Sequence, residues 1–142
     1  MRAYKFDLNP RIKSYVEWQL EHYHEDKKQL EEIKSAMMPQ ITTSYGTGGH
    51  GNSISTPTED AAMRMATNAY IQSTERSVRA IEHTLQRCDT TSRTLIDIVY
   101  WRRTMTVTGA ATKCNLSPSG AYNRINKILT AVAFEMGLIN EF

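Results

Sequence analysis

The sequence predicts an all-α protein in which a long antiparallel helical hairpin is followed by a three-helix unit carrying a helix-turn-helix. Three observations point there. Apolar residues recur at three-four spacing along most of the chain, the signature of helices buried on one face. Asn9-Pro10, Thr56-Pro57 and Ser117-Pro118 each pair a capping side chain with a proline at the first helical position, where the missing N–H costs nothing. Between two long periodic stretches the composition changes abruptly to glycine, serine and threonine. The resulting layout is a first helix over 1–40, a loop over 41–56, a second helix over 57–88, a helix-turn-helix unit over 89–137, and a tail over 138–142.

The first helix opens at Asn9-Pro10 and is expected to close at Pro39, just after Met37-Met38. Ile12, Val16, Tyr23, Leu30, Ile33 and Met37 form its apolar stripe, interrupted by Gln19 and Asp26, and Tyr15 and Trp18 widen that face. Such a helix is about 40 Å long. Its length, its dense and balanced charge and its heptad-like spacing suit packing against another helix, within the chain or in a dimer.

The run ITTSYGTGGHGNSIST has no period and reads as a flexible connection. Gly46, Gly48 and Gly51 satisfy G-x-G-x-x-G. A dinucleotide fingerprint needs a strand before the glycines, however, and here a polar helix precedes them.

Thr56-Pro57-Thr58-Glu59 then gives a capping box. The helix it opens carries Met63, Ala66, Tyr70, Val78, Ile81, Leu85 and Cys88, with Ser77 in register, and ends near Arg87. It is expected to run back along the first helix. Asp89-Thr90-Thr91-Ser92 is a break, after which Thr91 or Ser92 caps a shorter helix, RTLIDIVYWRR, with Leu95, Ile98, Val99 and Trp101 apolar.

The most informative stretch runs from Thr106 to Leu129. Thr106 caps a short helix whose Ala110 and Ala111 permit close approach of another helix. Asn115 sits at the bend, where a left-handed residue is expected and Asn is tolerated. Ser117-Pro118 starts the next helix, whose Ala121, Ile125, Ile128, Leu129 and Val132 form a buried stripe. Ser119, Tyr122, Asn123, Asn126 and Lys127 are left facing outward, with Arg124 on the flank. Gly137, placed just after the last periodic residue, is the expected C-cap.

Chemistry-bearing groups elsewhere are sparse. His22 and His24 lie two apart on a helix and project differently, so they are poor joint ligands. His50 falls in the glycine-rich run and His83 on a polar helix face. Glu25, Asp26, Glu31 and Glu32 read as a solvated face, and no serine sits in a nucleophile elbow. No enzymatic activity, cofactor or metal is therefore expected. No apolar run approaches the ~18 residues of a membrane span, and MRAYKFDLNP lacks the apolar core of a signal peptide. Cys88 and Cys114, far apart and on apolar helical positions, read as reduced core residues, so a cytoplasmic location, that of a bacterial host, is expected.

Charge supplies the functional expectation. Arg93, Arg102, Arg103, Lys113, Arg124 and Lys127 face a single acid, Asp97, over residues 93–127. That is six minus one, a local excess of five where the whole chain carries +2. A cationic patch around a capped helix with short hydrogen-bonding side chains fits double-stranded DNA. Ser117, Ser119, Tyr122, Asn123 and Asn126 are the expected base-reading residues, Asn being able to bridge adenine N6 and N7. Arg102, Arg103, Lys113, Arg124 and Lys127 are the expected phosphate contacts.

The order of a charged helix ending in QLEEIKSAMM, a Gly/Ser/Thr run, a second helix and a helix-turn-helix with RINKILTAVAFEMG resembles the RinA-type phage transcriptional regulators. The likeness runs from about Tyr23 to Gly137. These are small activators, related to the ArpU group, of late and packaging genes in phages of low-GC Gram-positive bacteria. Their DNA-binding part is similar to region four of sigma factors, and the matching residues are Ala110-Ala111, Cys114-Asn115-Leu116-Ser117, and Ile125 with Ile128 and Leu129. The chain departs from the pattern in having Asn115 for the usual turn glycine, Gly120 within the second helix, and fewer cations. The resemblance implies a transcriptional regulator, with RNA polymerase as a further partner and a homodimer or higher oligomer formed through the long helices. Two alternatives remain: a small terminase subunit recognising packaging-site DNA, and an adaptor or anti-repressor that uses the helical hairpin without touching DNA.

Overall fold

The computed structural model describes residues 8–43 and 57–140. Within them the chain is all-helical, without a strand. The helices are α1 (Pro10–Glu21), α2 (Tyr23–Thr43), α3 (Pro57–Gln86), α4 (Thr90–Ile96), α5 (Val107–Lys113) and α6 (Pro118–Glu135), with a π-helical turn at Asp97–Trp101 between α4 and α5. The capping residue Thr56 and the glycines of the G-x-G-x-x-G run lie outside the described residues.

The predicted first helix is two helices. Asn9 caps α1 as expected, its Oδ1 accepting the Arg11 N–H at 2.8 Å. The chain then breaks at His22 (φ −98°, ψ 9°). The physical cause is a side chain entering the helical ladder. Trp101 donates its indole N–H to the Leu20 carbonyl at 3.0 Å, while the backbone N–H of His22 bonds the Trp18 carbonyl at 3.1 Å. Pro39 does not close the second helix, which continues to Thr43. A proline inside a helix forfeits one hydrogen bond and bends the axis without having to end it.

The chain divides into two compact units, Met1–Tyr23 with Ser77–Phe142, and His24–Arg76. The second boundary falls inside α3. In the smaller unit, Leu30 and Thr74 are buried, Lys34 pairs with Glu75, and Tyr70 donates its hydroxyl to Gln29 at 2.8 Å. Met63, Ala66 and Tyr70, expected on the buried stripe of the second helix, are exposed.

The larger unit holds the core. Val16 and Leu20 of α1, Val78, Ile81 and Leu85 of α3, Leu95 and Ile96 of α4, Ala110 and Ala111 of α5, and Ile125, Leu129 and Val132 of α6 are buried in one cluster. Each larger side chain of this kind contributes roughly 1.5–3 kcal/mol by leaving water. Leu20 belongs to the stripe, and Tyr15 and Trp18 do not widen it: both are exposed, Trp18 stacking on the His22 ring at 4.1 Å. Helical spacing places 16, 20 and 23 on one face and turns 15 and 18 away from it. Cys88 and Cys114 are free thiols, half-buried rather than fully in the core.

Two further expectations are corrected between α3 and α5. Asp89, rather than Thr91 or Ser92, caps α4, its Oδ1 accepting the Ser92 N–H at 2.9 Å. A carboxylate three residues before that amide is a stronger acceptor than a hydroxyl inside the first turn. The following helix does not run straight to Arg103 but widens into the π-helical turn. That turn carries Tyr100 into the core, where its hydroxyl donates to Glu17 at 2.7 Å, and sets Trp101 against the Tyr23 ring at 5.5 Å. It ends where Arg102 N–H bonds the Asp97 carbonyl, and Arg103 then takes a left-handed conformation at φ 55°.

Candidate nucleic-acid interface

Thr106 and Ser117 begin α5 and α6 by the same local chemistry. Thr106 Oγ1 accepts the Gly109 N–H at 3.2 Å, and Ser117 Oγ accepts the Gly120 N–H at 3.0 Å, with Pro118 at the first helical position. Between them α5 ends in a Schellman motif. The Asn115 N–H bonds the Thr112 carbonyl at 3.1 Å, the Leu116 N–H bonds the Ala111 carbonyl at 2.8 Å, and Asn115 is left-handed at φ 60°. The same closure recurs after α6, where Gly137 at φ 81° and Leu138 bond the carbonyls of Phe134 and Ala133. Ala110, Ala111 and Ala121 are fully buried, and α5 packs closely on α6.

Helix α6 has two dissimilar halves. From Leu129 onward even Thr130 and Ala133 are buried, the Thr130 hydroxyl being satisfied by the Asn126 carbonyl at 2.8 Å. In the first half only Ala121, Ile125 and Ile128 are buried. Ser119, Tyr122 and Asn123 are exposed, Tyr122 by 47%, and Asn126 is half-buried on the same face. Ser117 is exposed as well, but its hydroxyl already serves as the helix cap.

The five expected phosphate contacts fall into two groups. Lys113 and Lys127 are exposed and form no ion pair among the described residues. The three arginines are each paired: Arg102 with Asp97 at 3.0 Å, Arg103 with Glu21 at 2.9 Å, and Arg124 with Asp89 at 2.9 Å. Counting charge along the sequence cannot reveal this, because Glu21 arrives from α1 and Asp89 lies just before the counted window. These acids and Ser92 are the residues that a linear reading leaves out. The signal for Asp89 was present, since Asp directly before a helix is a preferred cap.

Arg124 is the most constrained of these cations. Its Nη1 donates to both Asp89 oxygens, at 3.1 and 2.9 Å, and to Ser92 Oγ at 3.1 Å. These bonds, the Arg124 one foremost, hold the Asp89 carboxyl well below the usual carboxylate range. Beside the pair lies an open groove of about 790 Å³, lined by apolar Cys88, Ile128 and Phe134 and by polar Asn123, Arg124 and Lys127. Burial, with Asp89 adjacent, pushes the Cys88 thiol up, so it is not an activated nucleophile. Among the described residues no group of three or more metal-ligating side chains converges, and no helix is long and apolar enough to cross a membrane.

Neither a family model nor a curated protein nor a solved structure matches the chain.

Proposed function

We propose that this protein is a sequence-specific double-stranded DNA-binding regulator in which α5, its turn and α6 act as a helix-turn-helix, α6 being the helix that enters the major groove. What supports this most is the first half of α6: a capped helix start whose free face carries Ser119, Tyr122, Asn123 and Asn126. These are hydrogen-bonding side chains of the length that reaches base edges from a groove-bound helix. Lys113 and Lys127, both exposed and without an ion pair among the described residues, serve as the cations for phosphates. On the same proposal α2 and α3 form the antiparallel hairpin through which two copies associate or through which RNA polymerase is touched. The regulator acts in a bacterial cytoplasm and serves a phage or prophage, where late and packaging genes are the expected targets.

Selection of the full chain on random duplex DNA at two salt concentrations tests this. The expected result is an enriched motif whose affinity falls with log salt at a slope near −1.8 per copy. That is about −0.9 for each of the two unpaired lysines, rather than about −4.5 for all five cations. Tyr122→Ala with Asn123→Ala should remove the motif while thermal stability stays put. Absence of any enriched motif, with intact folding, refutes the proposal. A solution mass of eight or more copies on DNA would replace it with a packaging-site recognition protein.

A further inference from the structure

We infer that Arg124 is a base-reading residue and that Asp89 is the residue that positions it. The inference rests on the proposal that α6 is the groove-entering helix. It reverses the role expected for Arg124 from charge alone.

A phosphate-neutralising cation works by its net charge and tolerates a mobile side chain, since the backbone presents many equivalent acceptors. Arg124 has neither property. Its charge is balanced by the Asp89 carboxylate, so the pair adds nothing net to the cationic surface. Its guanidinium is fixed, because three acceptors converge on Nη1: two carboxylate oxygens and the Ser92 hydroxyl. The carboxylate is itself fixed by the backbone, since Asp89 caps α4 and accepts the Ser92 amide. The chain of constraint therefore runs from the α4 helix start through Asp89 into the side chain of Arg124.

Anchoring one terminal nitrogen has a geometric consequence. The opposite edge of the planar guanidinium, Nε with Nη2, remains to donate two parallel hydrogen bonds. A guanine offers the matching pair of acceptors, O6 and N7, in the major groove. An arginine already held in place loses little side-chain freedom on making that contact, which favours base reading over a loose backbone contact. The side chain is 36% exposed, enough to present an edge while the anchored nitrogen stays tied down. Asn123 and Lys127 line the same groove as Arg124, so the anchored guanidinium opens onto a space that other polar residues of α6 also reach.

Full-length protein carrying Arg124→Lys or Asp89→Asn decides the matter, with base preference and salt slope read together. Lysine keeps the cation but lacks the two-pronged edge, and asparagine keeps the α4 cap but not the charge. Wild type should prefer guanine at one position of its motif. Arg124→Lys should flatten that preference by about tenfold or more, leaving the salt slope unchanged. Asp89→Asn should weaken the guanine preference and steepen the slope by about one charge, because the released arginine then reaches for phosphate. Arg124→Lys that weakens all sequences equally, or that lowers the melting temperature with the guanine preference intact, overturns the inference and leaves Arg124 as a backbone contact or a clamp between α4 and α6. A wild type with no affinity for duplex DNA overturns the parent proposal as well, so the two failures are distinguishable.

Discussion

Replacing Tyr100 by Phe removes one oxygen from the core and tests how α1 is held to the rest of the larger unit. Tyr100 is only 5% exposed, and its hydroxyl donates to Glu17 Oε2 at 2.7 Å. The ring itself should stay in place, since Phe preserves its shape. What is lost is a hydrogen bond to a charged acceptor, a class with a net contribution of roughly 1.5–3 kcal/mol. Glu17 is half-buried, so water can reach the abandoned carboxylate and soften the loss. The lower part of that range, about 1.5–2 kcal/mol, is therefore expected. For a chain of this size it corresponds to roughly 4–7 °C in melting temperature.

Urea titration followed by circular dichroism measures it, with the midpoint moving and the slope m unchanged. Pairing Tyr100→Phe with Glu17→Gln in a double-mutant cycle should give a coupling of about 1 kcal/mol, as residues in direct contact do. The alkaline limb gives an independent check. Burial, followed by the Glu17 interaction, raises the pKa of Tyr100 above the ordinary tyrosine value of 10. A raised folded pKa contributes stability that is complete below about pH 10 and disappears as pH rises through the folded value. The gap between wild type and Tyr100→Phe should thus stay constant from neutrality to about pH 10 and then shrink. A loss under about 0.5 kcal/mol, the range of an ordinary surface substitution, would refute the hydrogen bond as a clamp on α1.

Four further outcomes are expected. Asn115→Ala should cost about 1 kcal/mol in denaturant titration, whereas Asn115→Gly should hold or slightly raise stability, because φ 60° penalises a Cβ that lacks a local polar partner. Ser117→Ala should cost about 1 kcal/mol through loss of the α6 cap. Gly120→Ala should gain little alone, because its new Cβ would stand 3.1 Å from Ser117 Oγ, and should gain more in the Ser117→Ala background, where that oxygen is gone. Wild type should lose stability as pH falls below the ordinary carboxylate range, in part through Asp89, whose depressed folded pKa makes its contribution complete above that range. Asp89→Asn should flatten this acid limb in thermal melts, and an unchanged acid limb would show that the Arg124 contact does not favour the folded state.

What was legible in the sequence was what neighbouring residues decide among themselves. Thr106, Asn115, Ser117-Pro118 and Gly137 each act on amides or carbonyls within a few positions, so their caps and turns follow from residue type and spacing. The buried stripe of α6 is of the same kind. The break at His22 was not legible, because it depends on Trp101, far along the chain, reaching the Leu20 carbonyl. The π-helical turn was hidden for a related reason: its apolar residues satisfy an ordinary helical spacing, and the extra residue per turn shows only when Tyr100 meets Glu17. The outward face of α6 could be read from periodicity, but the state of Arg103 and Arg124 could not. Pairing with Glu21 and Asp89 is a property of the folded surface.

That pairing changes what kind of binder the proposed interface makes. Five free cations would give one copy a strong and sequence-blind hold on any duplex, with a steep salt dependence. With Arg102, Arg103 and Arg124 each matched to a carboxylate, Lys113 and Lys127 are the two of those five cations that form no ion pair among the described residues. Electrostatic attraction per copy is then modest, and discrimination has to come from donors and acceptors on a helix whose position is already fixed. The division of α6 supplies that fixity. Its second half buries Leu129, Thr130, Val132 and Ala133 and anchors the axis, while its first half buries Ala121, Ile125 and Ile128 and leaves the face of Ser119, Tyr122 and Asn123 free to carry whatever side chains recognition demands. Substitutions at Ser119, Tyr122 and Asn123 are accordingly cheap for the fold, which makes them able to separate recognition from stability. A single such helix spans only a few base pairs, so on this proposal useful specificity requires a second copy or a neighbouring protein on the same DNA.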